Sequence, residues 1–365
     1  MAAAGRPAAA GWAGAEMAKL EVEGLCKVFG PAPERALELA RQGIPKDEIR
    51  RRTASTVAVA DVSFAVEAGA TFVVMGLSGS GKSTLLRCLN RLIEPTAGTV
   101  RLDGVDLGTL SRAELRHRRR HRMAMVFQHF GLLPHRRVLD NVAYGLAVQG
   151  LARPERHRRA RRWIETVGLA GYERAYPAEL SGGMQQRVGL ARALATDPEV
   201  LLMDEPFSAL DPLIRREMQD QLLALQERLH KTLVFITHDL DEALRLGERI
   251  AILNDGRTVQ VGDPREIVLE PADAYVEAFV RDVPRLRVLT AGALMVEPGA
   301  AGEADADPAA EPSAVAPETP AGELLPALLG SARPVAVVGG EGRALGVVTR
   351  DALIRALTSD TTTPA

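Results

Sequence analysis

Residues 76–83, Gly-Leu-Ser-Gly-Ser-Gly-Lys-Ser, fit the pattern G-x-x-x-x-G-K-[ST]. Glycines let such a loop turn tightly, so that successive backbone N–H groups converge on phosphate oxygens, and a following helix adds partial positive charge from its N-terminus. Lys82 would neutralise the β- and γ-phosphates and Ser83 would ligate Mg2+. A second signal is the apolar run Val200-Leu201-Leu202-Met203, which ends in Asp204-Glu205-Pro206. Two adjacent acids at the end of a buried strand can divide labour: Asp204 holds Mg2+ through its water shell and Glu205 orients and polarises an attacking water. A third is residues 180–187, Leu-Ser-Gly-Gly-Met-Gln-Gln-Arg, which open a helix with a Ser-Gly-Gly entry and so offer another anion-binding terminus. A Gly-rich turn, a solvated strand end and a common Ser-Gly-Gly turn are the plain readings of the three motifs taken singly. Their order along one chain disfavours them.

The elements that must position these residues are legible in the hydrophobic pattern. The phosphate-type loop lies between a buried-strand run, Thr71-Phe72-Val73-Val74-Met75, and a helical pattern, STLLRCLNRL. Residues 19–29 begin with period-two alternation, residues 57–66 alternate again, and from residue 71 to Gly256 helical patterns and short apolar strands take turns. That alternation predicts an α/β domain with a mostly parallel sheet. Residues 31–57 read as a helical insert, with Pro31 and Pro33 at its entry, and residues 110–195, mainly helical and Arg-rich, as a helical subdomain set into the α/β core. After residue 283 the character changes. Residues 284–322 read as a linker whose Ala, Pro and acid content, densest over 297–322, cannot bury enough surface to offset chain entropy. From Glu323 structure returns as a helix, a strand, a turn at residues 339–342, a second strand and a helix ending near residue 358.

Composition bounds the alternatives. The chain has 365 residues, 45 Lys plus Arg against 47 Asp plus Glu, a formal charge of −2 and 46% hydrophobic residues, which is ordinary for a globular protein and excludes collagen-like, wholly disordered and polybasic classes. Cys26 and Cys88 supply neither a disulfide framework nor metal-ligand spacing, which favours a reducing compartment and a role for both as small core residues. No apolar run reaches membrane-spanning length, and residues 1–16 lack the apolar centre of a secretory signal, so 1–18 read as a disordered extension, with Met17 an alternative start. The basic runs at 112–122 and 153–162 contain no aromatic residue and read as solvated helix faces rather than a nucleic-acid site.

Over roughly residues 19–283 the sequence resembles the ATP-binding subunits of ABC transporters. GLSGSGKST is similar to the Walker A motif, LSGGMQQR to the ABC signature, and LLMDEP to Walker B with its catalytic Glu205. Asp211 in SALD resembles the D-loop aspartate, His238 in FITHD the switch histidine, and Gln128 in MVFQ the Q-loop glutamine. The resemblance implies a P-loop nucleotide-binding domain with an inserted helical subdomain, an ATPase in which Glu205, His238 and Lys82 are catalytic. ATP contacts are implied at Gly76, Ser78, Gly79, Ser80, Gly81, Lys82, Ser83 and Thr84, with Phe29 stacking on adenine. Ser181, Gly182, Gly183, Gln185 and Asp211 are implied to meet nucleotide across a two-copy ATP sandwich. Ser83, Asp204 and Gln128 form the implied Mg2+ set.

The insert at 31–57, LNRLIEPTAG at 89–98 and FSALDPLIRREMQD at 207–220 narrow the resemblance to the glycine betaine/proline (quaternary amine) importer ATPases. That family implies transmembrane permease subunits docked near residues 129–134 and 138–142, an extracytoplasmic binding protein as indirect partner, and a place at the cytoplasmic face of the bacterial inner membrane. It also implies paired CBS modules after the ATPase. PVAVVGGEGRALGVVTRDALIRAL resembles the second of these, giving a truncated α+β CBS-like tail over 323–358, while only residues 287–291 resemble the start of the first. An importer ATPase for another small solute, and a soluble ABC ATPase acting away from transport, are the competing readings.

Overall fold

The computed structural model describes residues 18–128, 131–296, 314–330, 334–340 and 343–358. The terminal extension expected at 1–18 falls outside them except for Ala18, which opens the first strand, β1 (Ala18–Phe29). Pro33 then starts α1 (Pro33–Arg41) at a position where its missing N–H costs nothing, and α2 (Lys46–Thr53) stops where Ala54 turns left-handed at φ 52°. Ile49, Leu37, Ala36 and Ala40 of this helical pair close over Cys26, Val28, Val57 and Ala60 of the flanking strands, so the insert has a small core of its own. Strand β2 (Thr56–Glu67) runs antiparallel to β1.

The nucleotide-type loop follows β3 (Thr71–Met75) and leads into α3 (Lys82–Leu89). Strands β4 (Ala97–Leu102) and β5 (Val105–Asp106) complete a four-stranded sheet in the order β2-β1-β4-β5. Next come α4 (Arg112–His121), opened by a Ser111/Glu114 capping box, and β6 (Met123–Val126). Helices α5 (Val138–Val142), α6 (Tyr144–Val148), α7 (Arg153–Thr166) and α8 (Gly182–Leu194) then pack on one another. Their shared core runs from Val138 to Ala195. The helical subdomain expected from about 110 therefore starts later: β6 pairs with the parallel sheet, and Leu110, Leu115 and Met125 pack on the main core instead. Both basic runs lie on helix faces, α4 burying no residue and α7 only Ala160 and Ile164.

The remainder of this unit is β7 (Val200–Asp204), α9 (Pro212–Leu229), β8 (Thr232–Thr237), α10 (Leu240–Leu246), β9 (Arg249–Asn254) and β10 (Arg257–Gly262). Six strands line up as β10-β9-β3-β8-β7-β6, with β9, β3, β8, β7 and β6 mutually parallel. Every residue of β3, β7 and β8 is buried, as their unbroken apolar runs require when a sheet is covered on both faces. The main core draws on both sheets and α3, with Phe64 and Phe72 stacked at 4.6 Å. Cys88 lies in it fully buried, its thiol pushed up to about 11 by burial, and Cys26 lies in the core of the insert.

The chain divides into two compact units after Val261, earlier than the change of character at 283 suggests. The second unit contains α11 (Pro264–Leu269), α12 (Ala274–Val280), α13 (Ala291–Leu294), β11 (Ala314–Val315), α14 (Ala321–Gly330), β12 (Val335–Val338), β13 (Ala344–Val348) and α15 (Arg350–Thr358). Leu269 and Leu286 pack on a core of Leu289, Leu294, Leu324, Leu328, Val337 and Val348, which ties residues on both sides of 283 together. The expected linker is thus shorter than 284–322. Its residues 297–313 lie outside the described set, but Ala314 and Val315 pair in parallel with Ala336 and Val337, and residues 289–294 join the tail core. The β-β-α tail is present, with residues 341–342 of its turn outside the described residues.

Candidate active site

Four of the motifs sit one or two residues past the carboxyl ends of neighbouring parallel strands: Gly76 after β3, His238 after β8, Glu205 after β7 and Gln128 after β6. Pairing of Met75 with Thr237, Asp204 with Ile236 and Val126 with Met203 sets those ends side by side. Ligands bind in open α/β sheets at this edge, because the strand ends deliver loops and helix N-termini to one crevice.

The loop at 76–83 is closely wrapped by backbone. Gly76 has φ 153°, and a Cβ there would stand 2.2 Å from the Leu253 carbonyl oxygen; Gly81 has φ 97° and would meet the Ala58 oxygen at 2.1 Å. No side chain fits at either place. Ser78 and Gly79 are exposed at the tip and Thr84 is half-buried in the first turn of α3. Ser80 Oγ is buried and has no hydrogen-bond partner among the described residues. Lys82, 4% exposed, donates from Nζ to the carbonyl oxygens of Gly76 (2.8 Å) and Leu77 (3.0 Å). Burial lowers its pKa, opposed by the carboxylates of Glu205 and Asp204. Ser83 Oγ donates to Asp204 Oδ1 at 2.7 Å, and Arg87 reaches Asp204 Oδ2 at 3.4 Å. A hydroxyl paired with a buried carboxylate at a helix N-terminus is a hard-oxygen donor set of the kind Mg2+ takes, and the orphaned Ser80 hydroxyl and Gly cradle suit a polyphosphate.

Glu205 holds the centre. Its φ of 44° is left-handed for a residue with a Cβ, and its N–H donates to the Ile236 carbonyl at 3.1 Å while the Glu205 carbonyl accepts from Ser208 Oγ at 3.0 Å. Such a conformation costs about 1–3 kcal/mol and persists where surrounding bonds over-determine it. It aims the side chain between two nitrogen groups: Oε1 lies 3.7 Å from Lys82 Nζ and Oε2 lies 2.9 Å from His238 Nδ1. Lys82, Ser83, Asp204, Glu205 and His238 are thus brought together.

Ser181, Gln185 and Asp211 make bonds of their own outside that cluster. Ser181 caps α8 by accepting from Met184 N–H at 3.3 Å, and the nearest groups around Gly182 and Gly183 are Leu210 and Ile214, not the 76–83 loop. Gln185 turns inward, donating its amide to the Pro177 and Leu180 carbonyls, so it braces the turn before α8 rather than facing outward. Asp211 caps α9 through Ile214 N–H at 3.1 Å. Gln128 is half-buried two residues beyond β6. Phe29 ends β1, 43% exposed, with the Lys27 ammonium 4.9 Å over its ring, and β1 pairs there with Thr56, two residues from the Ala58 that touches Gly81. Sequence patterns passed over Arg87, although it lies four residues after Ser83 and hence on the same helix face, and the polar cluster behind His238, whose members are distant in sequence.

Residues 59–208 match the family model described as ABC transporter. The glycine betaine/carnitine transport ATP-binding protein of Listeria monocytogenes serotype 1/2a is 56% identical over 282 residues, 77% of this chain and 71% of the relative. The glycine betaine/proline betaine transport system ATP-binding protein of Salmonella typhimurium is 56% identical over 273 residues, 75% of this chain and 68% of the relative. The trimethylamine N-oxide transport system ATP-binding protein of Ruegeria pomeroyi is 54% identical over 268 residues, 73% of this chain and 78% of the relative. A solved dimer of an ATP-binding cassette in a post-hydrolysis state, bound to ADP and Pi, superposes with a TM-score of 0.57 at 32% identity, over 67% of this chain and 98% of that one. Fold, strand-end constellation and these similarities define an ABC cassette ATPase. Within that class the chain belongs to the family of the glycine betaine and proline betaine transport ATP-binding proteins.

Proposed function

We propose that this chain hydrolyses ATP to drive an importer for glycine betaine, proline betaine or related quaternary ammonium solutes. The observation that carries the hydrolytic role is Glu205, held in a strained conformation with its carboxylate between Lys82 and His238. Its carboxylate accepts a proton from, and orients, the attacking water. His238 fixes the Oε2 side of that carboxylate. Lys82 exchanges the Gly76 and Leu77 carbonyls for phosphate oxygens, and the N–H groups of the loop and of α3 converge on the same charge. Ser83, Asp204 and Gln128 would hold Mg2+, which when bound supplies neutralising charge for the phosphates.

Around Gly182 and Gly183, after the Ser181 cap, the nearest groups are Leu210 and Ile214 and not residues 76–83, which supports one chain presenting two half-sites. A second copy supplies the missing half, and Asp211 stands at that junction. The phosphate-bound dimer of the 32% identical cassette supports this arrangement. No described helix is long and apolar enough to cross a membrane, and the proposed permease subunits supply that part, docking on the helices that follow Gln128. On this reading the chain works at the cytoplasmic face of the inner membrane, with the extracytoplasmic binding protein an indirect partner and no nucleic acid involved. The tail at 323–358 is assigned as the truncated CBS-like module.

Uptake of labelled glycine betaine, proline betaine, carnitine and trimethylamine N-oxide in a strain lacking the chain tests the cargo. Restoration of betaine uptake by the wild-type chain and not by Glu205→Gln is expected. Restored uptake of trimethylamine N-oxide alone points to the cargo named for the Ruegeria relative.

A further inference from the structure

Behind His238 lies a buried polar cluster that joins α9 to the end of β8. Glu242, 4% exposed on α10, accepts from Thr237 Oγ1 at 2.6 Å on one carboxylate oxygen and from Gln219 Nε2 at 3.2 Å on the other. Thr237 immediately precedes His238 and also accepts from the N–H of Asp239, which immediately follows it, at 2.9 Å. The peptide that follows the histidine is therefore held by the hydroxyl of the residue that precedes it, and that hydroxyl donates to Glu242. Asp239 closes the loop by accepting from Glu242 N–H at 3.2 Å and from Arg215 at 3.2 Å. Arg215 donates in addition to the Leu210 carbonyl at 3.1 Å, one residue before Asp211. Arg245 completes the set, donating to Gln219 Oε1 at 3.2 Å and pairing with Asp220.

Two features point beyond packing. A buried carboxylate is expensive where an apolar side chain would serve, and the N-cap of α10 is already provided by Asp239, so helix start does not require Glu242. Moreover, Arg215 Nε is buried with no hydrogen-bond partner among the described residues and stands 4.0 Å from Glu242 Oε1. Displacement of the start of α9 by about 1 Å brings an N–H donor into bonding range of a charged acceptor, a bond roughly twice as strong as a neutral one.

We infer that Glu242 is a positioning residue: through Thr237 it sets the loop that carries His238 against Glu205, and through Arg215 and Gln219 it couples that setting to the segment holding Asp211. The inference rests on His238 acting in hydrolysis as proposed above. Movement at 210–215 then reaches the histidine through bonded groups, and not merely through bulk packing.

The test is a double-mutant cycle on the full-length chain, with Glu242→Gln, Gln219→Met and His238→Ala singly and in pairs, reading kcat and KM for ATP and the melting temperature. Glu242→Gln keeps shape and one acceptor; Gln219→Met removes the amide that bonds Glu242 and Arg245 and leaves Arg215 on Asp239, so either variant alone decides if the other misfolds. Expected for each is a kcat lower by about tenfold with KM unchanged, and no further loss when added to His238→Ala, the non-additivity of residues acting through one another. Equal losses with and without His238, or unchanged kcat in the folded variants, overturn the inference. If His238→Ala alone leaves kcat unaltered, it is the role of His238 that fails.

Discussion

At the scale of single residues the site depends on where side chains are forbidden as much as on where they act. Gly81→Ala puts a methyl carbon 2.1 Å from the Ala58 oxygen, in a conformation that L side chains avoid, and that oxygen belongs to the backbone. We expect the loop to shift and ATP affinity to fall at least tenfold, about 1.4 kcal/mol, while the far-ultraviolet dichroism stays that of the wild type; equilibrium binding of a fluorescent ATP analogue measures it. Glu242 gives a pH signature. Burial raises its carboxyl above the ordinary value against the opposing bonds from Thr237 and Gln219 and the charge of Arg215, with Asp239 reinforcing the shift. The folded state then holds its proton more tightly than the unfolded chain, so this group's contribution is full below the ordinary carboxylate value of the unfolded chain and is lost as pH rises through the raised folded value. Glu242→Gln should gain stability relative to wild type across that window, seen by urea denaturation at successive pH values. A constant difference between the two proteins would show that the carboxyl does not titrate differently on folding.

Among the elements, burial follows the sequence pattern where contacts are local. Ile49 of α2 is 1% exposed and closes the small core of the insert, so Ile49→Ala should cost about 2–5 kcal/mol, measured by chemical denaturation. The strands β3 and β7, the insert and the helix after the phosphate loop are legible, since unbroken apolar runs and Gly-Lys-Ser at a strand end are features of adjacent residues. What escaped depended on partners far away. The pair Ala314-Val315 is a strand only because Ala336 and Val337 lie beside it, and nothing in an Ala- and Pro-rich stretch announces that. Leu269 belongs with a core built from residues 289–353, so the boundary read from composition at 283 missed it. The inward amide of Gln185 and the bonds from Arg215 and Gln219 to the loop after β8 likewise join residues that no motif spacing connects.

At the scale of the whole molecule the two compact units have separate cores, the first formed around the parallel sheet and the second around Leu324, Leu328 and Val337. A polar group in the second core should disrupt that unit alone. Leu324→Asp is expected to lose the second unit's share of a two-step unfolding curve while ATP turnover of the purified chain persists; abolished turnover would join the two units functionally. The half-sites of the first unit carry the central claim, that this chain is a hydrolytic motor whose water-activating group is Glu205. Steady-state ATP hydrolysis by purified Glu205→Gln, beside its ATP affinity, tests that most directly. Expected is turnover lower by about 10²–10⁴-fold with ATP still bound and copies associating in its presence. Turnover at the wild-type rate would contradict it.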